Sequence, residues 1–463
     1  MKYVNESKIY GALERAKKAP RKRLDQVLEK AKALKRLTVE ETALLLSFSG
    51  PDDLHKIQEA ASYVKRSIYG TRVVLFAPLY ISNICSNYCA YCAFKADNQN
   101  IFRKKLTMDE IADETKTLLK MGHKRLLVVA GESAGEEEQD VEYYVSSINT
   151  IYSQQYGASR IRRVNINAAP LSVAGFMRLK RAGIGTYQIF QETYHEKTYR
   201  EVHPRGPKSD PDNRIDAVAR AFEAGIDDVG MGVLYGLYDH RFETLALLQH
   251  IEELEKKFGV GPHTISIPRI EPAVGSAFSE HPPYIVSDED FKKLVAILRL
   301  AVPYTGIILS TRETPELRDE LFNLGVSQIS AASITAPGGY AASVNNEAGN
   351  GQFSVHDMRS LDEIVGSLLD KNAMPSFCTA CYREERTGKA FMDLAKPGMI
   401  KGKCRMNALL TLKEYLDDFA SPEVREKGYR LIKEVERTLG EDEKKSLSVF
   451  FNDMDKGARD EHV

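Results

Sequence analysis

From Arg72 onward the chain alternates short apolar runs with longer amphipathic ones. The short runs begin with RVVLFAPLY at Arg72, RLLVVAGE at Arg125, RRVNINAA at Arg162 and TYQIFQET at Thr186. They continue with DVGMGVLYG at Asp228, HTISIPRI at His263, TGIILSTRE at Thr305 and VSQISAAS at Val326. Runs of this length, rich in β-branched and aromatic residues, predict strands. The segments between them carry helix signals. Thr107 and Glu110 form a capping box, Thr314 precedes Pro315 at a first helical turn, and Gly183, Gly225 and Gly325 stand where helices should stop. Eight strand–helix alternations predict an α/β chain of parallel strands and crossover helices, most simply a (β/α)8 TIM-type barrel. A doubly wound open sheet is the alternative that the pattern leaves open.

Leu24, Val27, Leu28, Ala31 and Leu34 recur at helical spacing, so residues 1–70 read as an N-terminal helical extension. The barrel is expected over 71–340. AASVNNEAGNGQ, 341–352, reads as a loop, and Ser360 with Glu363 opens another helix by a capping box. Residues 341–463 are therefore expected to form a mostly helical C-terminal extension.

A length of 463 residues with 43% hydrophobic content allows a large core, and a net charge of −1 gives no argument for nucleic acid or an anionic membrane surface. No apolar run reaches bilayer-spanning length, and MKYVNESKIYGALERAKK lacks the apolar core of a signal peptide. The six cysteines fall into two groups of three with none spare, which points to a reducing cytoplasm and thiolates committed to metal rather than to disulfides.

The first group, CSNYCAYC, contains Cys85, Cys89 and Cys92 and follows the first strand, so it lies at the C-terminal mouth where barrel enzymes place their chemistry. Three thiolates bind three irons of a 4Fe–4S cube and leave the fourth open. A zinc site with a distant fourth ligand is the alternative. Glu132, ending strand two, suits an ammonium partner, and Arg312, ending strand seven, suits a carboxylate. On strand three, Arg163, Asn165 and Asn167 alternate with Val164 and Ile166, giving a polar face for the barrel interior. The second group is Cys378, Cys381 and Cys404. Alone it also reads as a zinc knuckle short of a ligand; beside the first triad it reads as a second three-thiolate cluster.

CxxxCxxC after the first strand, Tyr91 before the third cysteine and the AGE of Gly131 and Glu132 resemble the radical S-adenosylmethionine (SAM) superfamily. FQETYH from Phe190 resembles a signature of its tyrosine lyases. The resemblance implies SAM chelated to the open iron and cleaved by one electron to a 5′-deoxyadenosyl radical. It also implies a lyase that breaks the tyrosine Cα–Cβ bond, giving p-cresol and dehydroglycine. By the same resemblance Tyr91, Gly131, Glu132, Asn167, Glu192 and Arg214 face SAM, and Arg312 holds the substrate carboxylate. For Arg214 an exposed helix position is the other reading.

The second triad, with LFAPLYIS, GPHTISIPRIEPA, GVSQISA and DLAKPG, resembles the tyrosine lyases that mature FeFe-hydrogenase. That branch implies a second 4Fe–4S cluster carrying an extra iron, with His263 as a further iron ligand. Dehydroglycine would then pass through the barrel and yield carbon monoxide and cyanide. Asn165, Asn167, Thr264, Ser266 and the glycines of DVGMGV are the small or polar residues expected along that passage. Free cysteine, an external electron donor and other hydrogenase maturation proteins are the implied partners. The thiamine-thiazole tyrosine lyases, which lack the second cluster, are the alternative. Ile334 departs from the pattern, which leads one to expect a basic residue there.

Overall fold

A computed structural model describes residues 1–342 and 350–463. The loop expected over 341–352 lies largely outside the described residues. All eight expected strands form: β1 (Arg72–Ser82), β2 (Arg125–Ala130), β3 (Arg163–Asn167), β4 (Tyr187–Glu192), β5 (Val229–Val233), β6 (Thr264–Ser266), β7 (Gly306–Leu309) and β8 (Gln328–Ser330). They pair in parallel in sequence order, and β8 closes on β1 through the register Val74 to Gln328 and Phe76 to Ser330. Closure excludes the open sheet and makes a TIM-type barrel.

The helix signals hold with one exception. Thr107, Thr314 and Ser360 each accept a backbone N–H from the first turn of their helices. Gly183 and Gly225 adopt φ of 86° and 81°, the left-handed geometry of a helix stop. Gly325 has φ −167° and stays out of the left-handed region. The N-terminal extension forms helices Glu6–Ala16, Lys22–Lys32, Val39–Ser47 and Pro51–Tyr69. Leu24, Val27, Leu28 and Ala31 are buried as expected, whereas Leu34 turns left-handed at φ 59° just past its helix.

Besides the short antiparallel hairpin of Gln155–Tyr156 and Ser159–Arg160, one strand of the main sheet has no sequence forecast. β9 (Met374–Ser376) pairs in parallel with the start of β1, Arg72 opposite Met374. Val74 pairs with both Gln328 and Ser376, so β9 lies on the β2 side of β1, below the point where β1 meets β2 at Ala77. The C-terminal region is thereby stitched to the N-terminal mouth of the barrel. Helix Ile400–Asp418 packs on β9 and on Pro51–Tyr69. Its Glu414, nearly fully buried, pairs with Lys124 at 3.0 Å and Arg162 at 2.5 Å, the residues that lead into β2 and β3.

Candidate active site and second metal centre

The loop after β1 folds back over the C-terminal mouth. The Asn83 side chain donates to the Phe102 carbonyl at 2.7 Å and accepts from the Lys104 N–H at 2.6 Å. The Arg103 guanidinium donates to the carbonyls of Asn83, Phe94, Lys95 and Asn98 at 2.5–3.2 Å. One cation thus satisfies four backbone acceptors and fixes the segment that carries the cysteines. Cys85, Cys89 and Cys92 line a cavity of about 200 Å³ together with Tyr91, Gly131, Glu132, Asn167, Glu192, Arg214 and Arg312. Every residue expected at this mouth is brought to it.

Gly131 permits close approach, but of the cysteine loop: a Cβ there would stand 2.5 Å from the Ile84 carbonyl oxygen and 3.2 Å from the Cys85 Cβ. Glu132 accepts from the Asn87 amide at 2.8 Å, and Asn87 accepts in turn from the Lys208 N–H at 2.7 Å. Glu192 has φ 70°, and the β4–β5 register shifts between Phe190 and Glu192. This bulge re-aims the carboxylate into the cavity, where Lys208 Nζ meets it at 2.6 Å. Lys208 also donates to the Tyr91 hydroxyl at 3.0 Å, and that hydroxyl lies 2.8 Å from His203 Nε2.

Arg214 is 7% exposed, which removes its reading as a surface helix residue. Burial works against its charge, yet Tyr199, Glu192 and Glu132 hold its pKa above the ordinary value. Its Nε donates to the Phe190 carbonyl at 2.7 Å, while its terminal nitrogens stand 3.8 Å from Glu132 and Glu192. Arg312 lies 3.4 Å from the Phe353 ring centroid and donates to the Arg269 carbonyl at 3.2 Å. Burial lowers its pKa, and among the described residues no carboxylate reaches ion-pair distance from it. The cavity therefore offers two carboxylates, a buried guanidinium held loosely between them, and the half-buried Arg312 guanidinium, which has no ionic partner among the described residues. That set complements SAM, which carries a sulfonium, an ammonium and a carboxylate, beside a second amino acid.

Burial pushes the Cys89 thiol up to about 12 and Cys92 to about 11, so both are neutral until a metal supplies positive charge. Among the described residues no three His, Cys, Asp or Glu side chains converge tightly enough to hold one metal ion.

At the opposite mouth, Cys378, Cys381, Cys404 and His263 line a second cavity of about 40 Å³ with Arg72, Arg125 and Tyr382. Cys378 and Cys381 follow β9, and Cys404 comes from helix Ile400–Asp418. Burial lowers the His263 pKa, leaving the imidazole neutral and able to ligate. Its Nδ1 lies 3.5 Å from Asp228 Oδ2, and both atoms are buried without a hydrogen-bond partner among the described residues. The other Asp228 oxygen accepts from the Gly388 N–H at 3.1 Å. A carboxylate behind Nδ1 directs Nε2 outward, the second-shell arrangement of metal-binding histidines. Orphaned polar atoms beside three thiols fit a metal centre.

Between the cavities, Phe76, Leu127 and Ile308 form an apolar cluster in the lower wall of the upper one. Gln188 Oε1, Thr264 Oγ1 and Gln328 Oε1 are buried in the barrel without hydrogen-bond partners among the described residues. The glycines leave no void. The space at Gly230 and Gly232 is taken by Gln188 and Phe190, whose atoms would stand 2.6 Å from an added Cβ.

Residues 79–248 match the radical SAM superfamily model, and residues 266–373 match the biotin and thiamin synthesis associated domain. The 2-iminoacetate synthase of Escherichia coli K12 is 32% identical over 349 residues, 75% of this chain and 89% of that protein. A crystal structure of HydG, a maturase of the [FeFe]-hydrogenase, superposes with TM-score 0.96 at 47% identity over 100% of both chains. HydG of Carboxydothermus hydrogenoformans gives TM-score 0.84 at 43% identity, covering 96% of this chain and 97% of its own. This chain belongs to the radical SAM superfamily, in its HydG family.

Within this HydG-family chain, the departure at Ile334 does not reach the cavity. Ile334 packs against the main core, while its neighbours Ser333 and Thr335 line the wall. Sequence reasoning missed Asn87, Arg103, Lys208 and Gln352, which tie the cysteine loop to the mouth. Their only signal is polar character in a loop, shared by many solvated residues. Among the described residues no helix is long and apolar enough to cross a membrane.

Proposed function

We propose that this radical SAM enzyme cleaves tyrosine to p-cresol and dehydroglycine at the upper mouth, and that the lower mouth converts dehydroglycine to carbon monoxide and cyanide. In this reading residues 71–340 carry the tyrosine chemistry and 341–463 complete the second centre. Cys85, Cys89 and Cys92 would hold one 4Fe–4S cluster; Cys378, Cys381, Cys404 and His263 would hold a second with an extra iron. When bound, the first cluster and SAM supply a hydrogen-abstracting radical. Glu132 and Glu192 attract the cationic parts of SAM, Arg214 its carboxylate, and Arg312 grips the tyrosine carboxylate above Phe353. The cysteine loop and Arg103 hold this arrangement over the mouth, limiting water at the reacting carbon.

The observation that carries the reading is that His263 and the second cysteine triad line one cavity at the end of the barrel opposite the first triad. A 2-iminoacetate synthase working without a second centre gives no reason for that convergence. The test is anaerobic turnover with tyrosine, SAM and dithionite, comparing wild type with Cys378→Ala. The variant is expected to keep p-cresol formation and lose cyanide and carbon monoxide. Undiminished cyanide would overturn the assignment of the lower mouth.

A further inference from the structure

Gln352 lies two residues before Ser354, whose N–H donates to the Pro272 carbonyl at 2.9 Å. Its backbone is clamped on both sides. The Gln352 N–H donates to the Thr335 carbonyl at 3.1 Å, and its carbonyl accepts from the Ala93 N–H, next to Cys92, at 3.3 Å. The side chain reaches further. Tyr80 OH donates to Gln352 Oε1 at 2.8 Å, and Gln352 Nε2 stands 3.7 Å from Cys92 Sγ, within range of a bond to sulfur.

The amide orientation follows from chemistry. With its oxygen and nitrogen exchanged, Oε1 would face the lone pairs of a metal-bound Cys92 thiolate, acceptor against acceptor. Tyr80 is buried, which raises its pKa, so its hydroxyl keeps the proton it donates. Tyr80 is itself held edge-on to Phe94 with ring centroids 6.0 Å apart. Cys92 also accepts from the Phe94 N–H at 3.4 Å. Among the described residues, Cys85 and Cys89 accept no hydrogen bond from a side chain. Of the three thiols, one is singled out.

We propose that Gln352, oriented by Tyr80, is a positioning residue that sets the reduction potential of the metal centre held by Cys85, Cys89 and Cys92 through an N–H···S bond to Cys92. The inference rests on the proposed reading of that triad as a cluster site. A hydrogen bond to a cysteinate sulfur withdraws electron density and favours the reduced, more negative cluster. Removing the donor therefore makes reduction harder. The device would let a cluster buried beside Glu132 and Glu192 accept its electron despite those carboxylates.

The experiment is an anaerobic redox titration followed by electron paramagnetic resonance. The protein is the full chain carrying Cys378→Ala, Cys381→Ala and Cys404→Ala, reconstituted with iron and sulfide so that only the first centre titrates. Gln352→Met keeps length and volume and removes the donor. It is expected to lower the reduction equilibrium about tenfold, a shift of 59 mV to more negative potential for one electron. Tyr80→Phe frees the amide to turn and is expected to shift the potential the same way by less. Both variants should keep iron content per chain. A midpoint unchanged in both variants, with the parent cluster still perturbed by SAM, overturns the inference and leaves the cluster reading intact. If Gln352→Met fails to hold iron, Tyr80→Phe alone decides: no negative shift overturns the inference. A parent protein without a SAM-responsive signal overturns the cluster reading itself.

Discussion

Replacing Gly131 by alanine tests how the first cysteine triad is seated. Gly131 follows β2, and its N–H donates to the Ser82 carbonyl at 2.9 Å, so its backbone is pinned to the end of β1. It is absent from the positive-φ residues, so alanine meets no conformational penalty. Removing chain entropy would by itself stabilise the variant by about 0.4–1 kcal/mol. Sterics oppose this. The new Cβ stands 2.5 Å from the Ile84 carbonyl oxygen and 3.0 Å from its carbon, and backbone cannot swing aside as a long side chain does. The Ile84 peptide has to move by roughly an ångström, at a cost of about 1–3 kcal/mol. Ile84 is bonded to Cys85, so the displacement passes straight to the first thiol. A misplacement of about 1 Å costs up to about 100-fold in rate. The expected outcome for Gly131→Ala is thus modest destabilisation in urea unfolding with a far larger loss of reductive SAM cleavage. Cleavage within threefold of wild type would refute the claim that this glycine seats the cysteine loop.

Lys208→Met leaves the Glu192 carboxylate buried without its 2.6 Å partner, and is expected to cost about 3 kcal/mol in chemical unfolding. A loss below about 1 kcal/mol would mean that Arg214 takes over. Arg312→Gln removes the guanidinium facing the proposed substrate carboxylate, and is expected to lower kcat/KM for tyrosine about 100-fold while SAM cleavage without substrate persists. Unchanged tyrosine saturation would place the carboxylate elsewhere. Burial raises the Glu414 pKa, but Arg162 and Lys124 outweigh it and bring it from 4.5 to about 2. The depressed value contributes stability above pH 4.5 that is lost as pH falls toward 2, worth about 3 kcal/mol. Glu414→Gln is therefore expected to unfold at lower urea than wild type at pH 7, with the gap narrowing between pH 4.5 and 2. A gap independent of pH would refute the linkage.

The strands were legible because they are separate apolar runs with caps and stops between them, but the choice between barrel and open sheet was not, since right-handed crossovers serve both and only the pairing of β8 with β1 decides it. Both cysteine triads were legible for a different reason: thiol spacing is a local signal. β9 was not. Met-Pro-Ser carries no alternation and contains a proline, which ordinarily argues against a strand. The edge beside the start of β1 tolerates it because β9 meets one neighbour only. Lys208 was equally silent, since a lysine in a glycine–proline loop reads as solvated until the bulge at Glu192 turns a carboxylate toward it.

The first triad was read from the sequence at one mouth of the barrel, but what joins the other mouth to the C-terminal region depends on β9. Val74 uses both edges of β1, one for Gln328 and one for Ser376. That double use is open to it because β1 runs 11 residues and β2 joins it only from Ala77 upward. The unpaired lower edge of a long first strand is thus the socket into which the second cysteine group plugs. A shorter β1, beginning level with β2, would leave no edge for Met374–Ser376, and Cys378 would have no fixed route to His263.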